Sequence, residues 1–176
     1  MAQEGSETAG SHLLDKSESA HPHRSVPNIQ EPRYSNRLRA LDAAEPLPIR
    51  ILVVDDNDSI RGILRRLLQN EADFCVVGEA LTGVEALTKA EELQPDVILI
   101  DVSLPDIDGL QVAERMRNVK TVSEILIVSD YCEGGSKHAF SSGARGYLLK
   151  SDVGRELVTA VRTVHRKERY LSLKER

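Results

Sequence analysis

The chain has 176 residues, a length that allows one domain with some residues to spare. Aromatic residues make up only 3% of the chain and tryptophan is absent, so any core must be aliphatic. The formal net charge of -5 argues against a general affinity for nucleic acid or for an anionic membrane. Two cysteines are too few for a disulfide framework or a zinc site, and no apolar run approaches the ~20 residues that cross a bilayer. A cytoplasmic protein is expected.

The chain divides into regions of different composition. Residues 1–48 contain five of the seven prolines and few Val, Ile, Leu or Phe residues. Such a segment cannot bury enough apolar surface to offset its conformational entropy, so we expect a disordered N-terminal tail. The hydrophobic pattern changes at Ile49, where short apolar runs begin. We expect a folded domain over residues 49–166 and a short C-terminal tail over residues 167–176.

Within residues 49–166, short apolar runs alternate with helical patterns. Each run is continuous, which is typical of strands that are covered on both faces: Ile51–Val54, Phe74–Val77, Val97–Ile100, Ile125–Val128 and Tyr147–Leu149. Stripes at helical spacing follow every strand, although the fourth, between Cys132 and Ser142, is weakened by two glycines. Five strands alternating with five helices predict right-handed crossovers and a doubly wound, five-stranded parallel α/β sheet.

Polar side chains follow four of these predicted strands. Asp55 and Asp56 come after the first strand and Asp101 after the third, while Ser129 and Lys150 come after the fourth and fifth. The carboxyl ends of parallel strands meet at one edge, so these groups should lie together. Crowded carboxylates need a cation, and hard oxygen ligands suit Mg²⁺. With the ammonium and the hydroxyl, the set could stabilise a phosphoryl group that is transferred to an aspartate.

The segment from ILVVDDND at 51 to YLLKSD at 147 resembles the receiver domain of two-component response regulators. The matching pieces are the DD pair at 55–56, DVSLPDIDG at 101–109, the hydroxyl of Ser129 and GARGYLLK at 143–150. The resemblance covers roughly residues 50–166 and is closest to receivers of the NarL/FixJ type. It implies a flavodoxin-like fold of the CheY kind, with five βα units.

The resemblance also implies roles for single residues. Asp101 would accept the phosphoryl group, and Lys150 would contact its oxygens. Mg²⁺ would be bound by Asp101 and Asp56 directly, by Asp55 through water, and by the backbone carbonyl of Ser103. On phosphorylation Ser129 would move to the phosphate and Tyr147 would turn inward, which would reshape the face formed by the fourth helix, the fifth strand and the fifth helix.

The partners implied are a sensor histidine kinase or a phosphotransfer protein as donor, a downstream effector protein, and a second copy in a phosphorylation-dependent homodimer. Receivers of this type are usually followed by a helix-turn-helix domain, yet only ten residues follow Arg166. We therefore expect a stand-alone receiver that acts through protein contacts, without direct DNA binding or membrane association. The alternative is the receiver half of a NarL/FixJ-type transcription regulator whose DNA-binding domain is missing.

Two other classes of protein share this kind of sheet. A Mg²⁺-dependent hydrolase that forms an aspartyl phosphate would need a second aspartate two residues after the nucleophile, and position 103 is Ser. A flavodoxin-like electron carrier would need a phosphate-binding loop after the first strand, and the acidic segment DDNDS is its electrostatic opposite. Both fit the sequence less well than a phosphoacceptor that is not itself an enzyme.

Asp130 follows the hydroxyl residue, where receivers usually have alanine or another small residue. A carboxylate there would repel an incoming phosphoryl group or obstruct its access. We therefore expect Asp130→Ala to accelerate phosphorylation by acetyl phosphate, measured as the rate of phosphoprotein formation. An unchanged rate would contradict this role of Asp130.

Overall fold

The structure is a computed structural model that describes residues 46–118, 122–130 and 134–172. Apart from its last three residues, the predicted tail 1–48 lies outside this part of the chain, as does the predicted start of the fourth helix at Cys132. The elements in chain order are β1 Ile49–Val54, α1 Asp58–Gln69, β2 Phe74–Ala80, α2 Gly83–Leu93, β3 Val97–Ile100, α3 Gly109–Asn118, β4 Glu124–Ser129, α4 Gly135–Ser142, β5 Gly146–Leu149, a 3₁₀ turn Lys150–Asp152, α5 Val153–His165 and β6 Tyr170–Leu171.

The strands form one parallel sheet in the order β2-β1-β3-β4-β5-β6. The chain runs from β1 outward to β2 and then returns past β1 to β3, so the strand order reverses at β1. In sheets of this kind the crevice at the carboxyl ends of the strands beside the reversal is where ligands bind. The predicted doubly wound α/β fold is confirmed.

The predicted number of strands is wrong by one, because residues 170–171 add β6 to the edge of the sheet. Gly146 pairs with Tyr170 and Tyr147 pairs with Leu171. The Tyr170 hydroxyl donates a hydrogen bond to Glu156 Oε2 at 2.7 Å, within α5. Part of the predicted C-terminal tail therefore belongs to the domain. A strand of two residues is too short to form an apolar run, so hydrophobic periodicity gave no sign of it.

The core consists of two apolar layers, one on each face of the sheet. Alternate strand residues such as Val53 and Leu126 point to the layer under α1 and α5. Their neighbours, such as Leu52 and Ile127, point to the layer under α2, α3 and α4. This burial on both faces explains why the strands are continuous apolar runs rather than alternating ones.

Gly109 allows α3 to begin directly against the end of β3. A Cβ at this position would lie 2.0 Å from the backbone carbonyl oxygen of Asp101. Backbone cannot move aside as a flexible side chain can, so only glycine lets the helix approach the site so closely. The glycine of the DVSLPDIDG segment thus has a steric role beside Asp101.

We expect Gly109→Ala to destabilise the fold by about 3 kcal/mol, because overpacking here forces a backbone shift. Gly62 is the matched control, since it lies inside α1 and a Cβ there would meet nothing within 4 Å. Gly62→Ala should stabilise the fold by up to about 1 kcal/mol through helix propensity. Urea unfolding measures both changes, and equal effects of the two substitutions would contradict the steric role of Gly109.

Candidate functional site

Three of the predicted site residues meet at the carboxyl edge of the sheet. Asp55 follows β1, Asp101 follows β3 and Lys150 follows β5. The Lys150 Nζ lies 3.0 Å from Asp55 Oδ2 and 3.0 Å from Asp101 Oδ2. The side chains of Asp55 and Asp101 are only 1% and 3% exposed, and that of Lys150 is 12% exposed. A single buried ammonium thus bridges two buried carboxylates.

Asp56 completes an acidic cluster with these two carboxylates. One carboxylate oxygen from each of Asp55, Asp56 and Asp101 lies within 4.8 Å of the others. Asp55 and Asp101 are buried, whereas Asp56 is exposed to solvent. The donor set consists of hard oxygen atoms, with an open side for water, which fits a Mg²⁺ ion better than a softer metal.

The electrostatics of the bridge follow from its burial. Burial raises the pKa of the Asp101 carboxyl, and the hydrogen bond from Lys150 and a backbone hydrogen bond from Ser103 offset only part of this rise. Burial alone would lower the pKa of Lys150, but hydrogen bonds to Asp101 and Asp55 outweigh it, and the pKa is raised. Lys150 therefore remains an ammonium and supplies the positive charge of the pocket at neutral pH.

Backbone hydrogen bonds position the two buried aspartates. The Asn57 N–H donates to Asp55 Oδ1 at 2.8 Å, and the Asp101 N–H donates to the Val54 carbonyl at 2.9 Å. Asn57 also caps α1, because its Oδ1 accepts from the N–H groups of Ser59 and Ile60. The start of α1 is thereby joined to the pocket through one short turn.

Three further predicted site residues lie on β4, on β5 and in the loop after β3. Ser129 ends β4 and is buried, and its hydroxyl donates to the carbonyl of Asp130 at 3.0 Å. Tyr147 is fully buried in the layer under α4. Ser103 is exposed, and its backbone contact with Asp101 is a hydrogen bond to the carboxyl group. The roles of these three residues stay predictions.

Sequence reasoning missed two charged residues beside the site. Asp106 accepts hydrogen bonds from the N–H groups of Gly83 and Val84 at 2.7 and 2.9 Å, which joins the loop after Asp101 to the start of α2. These hydrogen bonds lower the pKa of Asp106 to about 2, and the bond from the Val84 N–H has the largest effect on this pKa. Arg61 on α1 contacts the backbone of Asp55. No spacing rule for acidic or basic residues points to such side chain–backbone contacts.

A small apolar cavity of about 100 Å³ opens beside Lys150, between α1 and α5. It is lined by Ile60, Ile63, Leu64, Lys150, Val153 and Gly154. Ile63 is among the exposed large apolar residues of the domain. Apolar surface between α1 and α5 thus lies next to Lys150.

The sheet thus brings carboxylates from its switch point and a lysine from the end of β5 together at one edge. The response regulator receiver domain model matches residues 51–162, more than half of the chain. The response regulator VraR of Staphylococcus saprophyticus is 32% identical over 123 residues, which are 69% of this chain and 59% of VraR. The response regulator GacA of Pseudomonas viridiflava is 38% identical over 126 residues, which are 70% of this chain and 58% of GacA.

Among solved structures, a two-component response regulator of the LuxR family from Aurantimonas sp. SI85-9A1 is similar, with a TM-score of 0.69 and 31% identity. The match covers 72% of this chain and 91% of that chain. The chain belongs to the response regulator receiver domain family. This membership favours the receiver over the hydrolase and the electron carrier considered above. The chain spans about three-fifths of the length of VraR and GacA.

The sequence motifs predicted a receiver domain of a response regulator, and this prediction is confirmed. Receiver domains are signalling domains. Within residues 46–118, 122–130 and 134–172, no helix combines the length and apolar character needed to cross a membrane.

Replacing Lys150 tests the charge balance of the pocket. Lys150→Met leaves Asp55 and Asp101 buried without their shared cation, and we expect a loss of stability of about 3–5 kcal/mol in urea unfolding. Arg166→Gln is the control, because the Arg166–Glu168 pair is exposed and its loss should leave the free energy of unfolding close to that of the wild type. Wild-type stability of Lys150→Met would show that Lys150 does not compensate the two carboxylates.

Proposed function

We propose that this chain is the phosphoacceptor of a two-component phosphorelay and that Asp101 receives the phosphoryl group in a Mg²⁺-dependent reaction. The observation that supports this most strongly is the Lys150 bridge, with 3.0 Å from Nζ to both Asp55 and Asp101, beside a third carboxylate. A nucleophile, a cation and a set of oxygen ligands are together at one edge of the sheet. These are the groups that phosphoryl transfer to a carboxylate requires.

In the proposed reaction a carboxylate oxygen of Asp101 attacks the phosphorus of the donor. The new oxygen–phosphorus bond forms as the bond from phosphorus to the donor nitrogen breaks, and the imidazole of the donor histidine keeps the electron pair. Burial raises the pKa of the Asp101 carboxyl and so makes the carboxylate more basic, while the Lys150 ammonium 3.0 Å away favours its ionised form. The product is an acyl phosphate on Asp101.

The residues around Asp101 would stabilise the negative charge of the phosphoryl oxygens. Asp55, Asp56 and Asp101, with the carbonyl of Ser103, would hold the Mg²⁺ ion, which supplies positive charge next to the transferred group. The Lys150 ammonium already lies at Asp101 and would exchange its carboxylate contact for a phosphoryl oxygen. Ser129 now donates to the Asp130 carbonyl, and rotation about its χ1 would redirect this bond to the phosphoryl group.

We infer that the donor is a sensor histidine kinase or a phosphotransfer protein. The apolar cavity between α1 and α5 supports this proposal, because it offers a protein partner apolar surface directly beside Lys150. A phosphohistidine delivered at this point would reach Asp101 without crossing the sheet. The phosphoryl group would stay on the protein that received it, as in a signalling domain rather than an enzyme with a released product.

We propose protein contacts as the output, through the face of α4, β5 and α5, either with a downstream effector or with a second phosphorylated copy. In this chain β6 lies against β5, and the Arg169 guanidinium stacks over the Phe140 ring of α4, 5.1 Å from its centroid. The output face therefore includes residues after α5 as well as the three elements predicted. The alternative output is through a DNA-binding domain in a longer transcription regulator.

Phosphorylation by acetyl phosphate and Mg²⁺, followed by intact-protein mass spectrometry, tests the phosphoacceptor. We expect the wild type to gain the mass of one phosphoryl group, and Asp101→Asn to gain none, because its amide cannot form the acyl phosphate. Asp96→Asn is the matched control, since Asp96 accepts a hydrogen bond from the Arg50 N–H at the opposite end of β3. A gain in Asp101→Asn, or no gain in the wild type, would contradict the proposal.

A further inference from the structure

A buried guanidinium lies directly behind the acidic pocket. Arg61 is in the first turn of α1, and its side chain is only 8% exposed. Its three acceptors lie on three parts of the fold. Nη1 donates to the Asp55 carbonyl at 2.9 Å, Nη2 donates to Asp58 Oδ1 at 2.8 Å, and Nε lies 3.3 Å from Glu79 Oε2 on β2. This set of contacts uses the rigid fork of the guanidinium.

The contact with the Asp55 carbonyl constrains the neighbouring Asp56. The carbonyl of Asp55 and the N–H of Asp56 belong to one planar peptide group. The Asp55 carboxylate is held separately, by the Asn57 N–H and by Lys150. When Arg61 fixes the carbonyl, it also fixes the plane from which the Asp56 side chain leaves the backbone.

We propose that Arg61 is a positioning residue for the divalent cation, which holds the Asp55–Asp56 peptide so that both carboxylates serve one ion. This inference rests on the proposed function, which places Mg²⁺ in the acidic cluster. Mg²⁺ demands nearly ideal octahedral geometry, so a ligand free to rotate is a poor ligand for it. Loss of a group that orients metal ligands typically weakens metal binding by about 10- to 100-fold.

The charge of Arg61 alone gives the opposite expectation. A cation held against the backbone of Asp55 repels a second cation bound nearby, so its removal by itself would tighten Mg²⁺ binding. Lysine separates the two effects, because it carries the same charge without the planar fork that reaches three acceptors at once. A positioning role thus predicts that Arg61→Lys binds Mg²⁺ more weakly than the wild type. A role of charge alone predicts that its Mg²⁺ affinity equals that of the wild type.

The test is the Mg²⁺ dissociation constant of the full chain, measured by isothermal titration calorimetry at constant ionic strength. Calorimetry suits this chain because it has no tryptophan to report binding by fluorescence. We expect Arg61→Lys and Arg61→Gln each to weaken Mg²⁺ binding by about tenfold. Arg65→Gln is the matched control, because Arg65 lies one turn further along α1 and donates to the same Glu79, at 2.6 Å. It should bind Mg²⁺ like the wild type.

The opposite results would overturn the inference. Wild-type affinity of Arg61→Lys, or tighter binding by Arg61→Gln, would exclude a positioning role of Arg61. Circular dichroism shows whether each variant is folded, and a variant that unfolds is measured again in the Gly62→Ala background, which should stabilise α1. A wild type that binds no Mg²⁺ would contradict the proposed function itself, whereas equal binding by wild type and Arg61 variants would contradict this inference alone.

Discussion

The ammonium of Lys150 between two buried carboxylates is the interaction on which the rest of the site depends. Asp55 and Asp101 lie at the ends of β1 and β3, nearly without contact with water. Buried carboxylates repel each other and are poorly solvated, so they need a charge of opposite sign within hydrogen-bond distance. Lys150 meets this need for both at once, and it offsets part of the rise that burial causes in the pKa of Asp101.

The register of the sheet explains why these residues meet. Val54 pairs with Ile100 in the parallel ladder of β1 and β3, so the aspartates that follow these two residues are neighbours. Lys150 follows β5, which is separated from β3 by β4. A cation that starts from β5 must therefore reach past the end of β4, and the long flexible stem of lysine allows this. Ser129, at the end of β4, is placed along this path.

Much of this arrangement could be predicted from the sequence, because it depends on local pattern and on one rule of topology. Continuous apolar runs predict strands buried on both faces, and the strand-end rule then places Asp55, Asp101 and Lys150 at one edge. β6 could not be predicted, because Tyr170 and Ser172 are fixed by hydrogen bonds to buried residues of α5 and its preceding turn. The roles of Arg61 and Asp106 could not be predicted for a related reason. Each side chain forms hydrogen bonds with backbone groups that come close only in the folded chain.

A crystal structure of the protein soaked with Mn²⁺ in place of Mg²⁺ would show whether the acidic cluster binds a divalent cation beside Lys150, because anomalous scattering locates Mn²⁺ independently of the protein coordinates. We expect a strong anomalous peak within bonding distance of carboxylate oxygens of the Asp55–Asp56–Asp101 cluster, with the Lys150 ammonium at hydrogen-bond distance from Asp101. A peak elsewhere with an empty cluster, or Lys150 turned away from both buried aspartates, would contradict it.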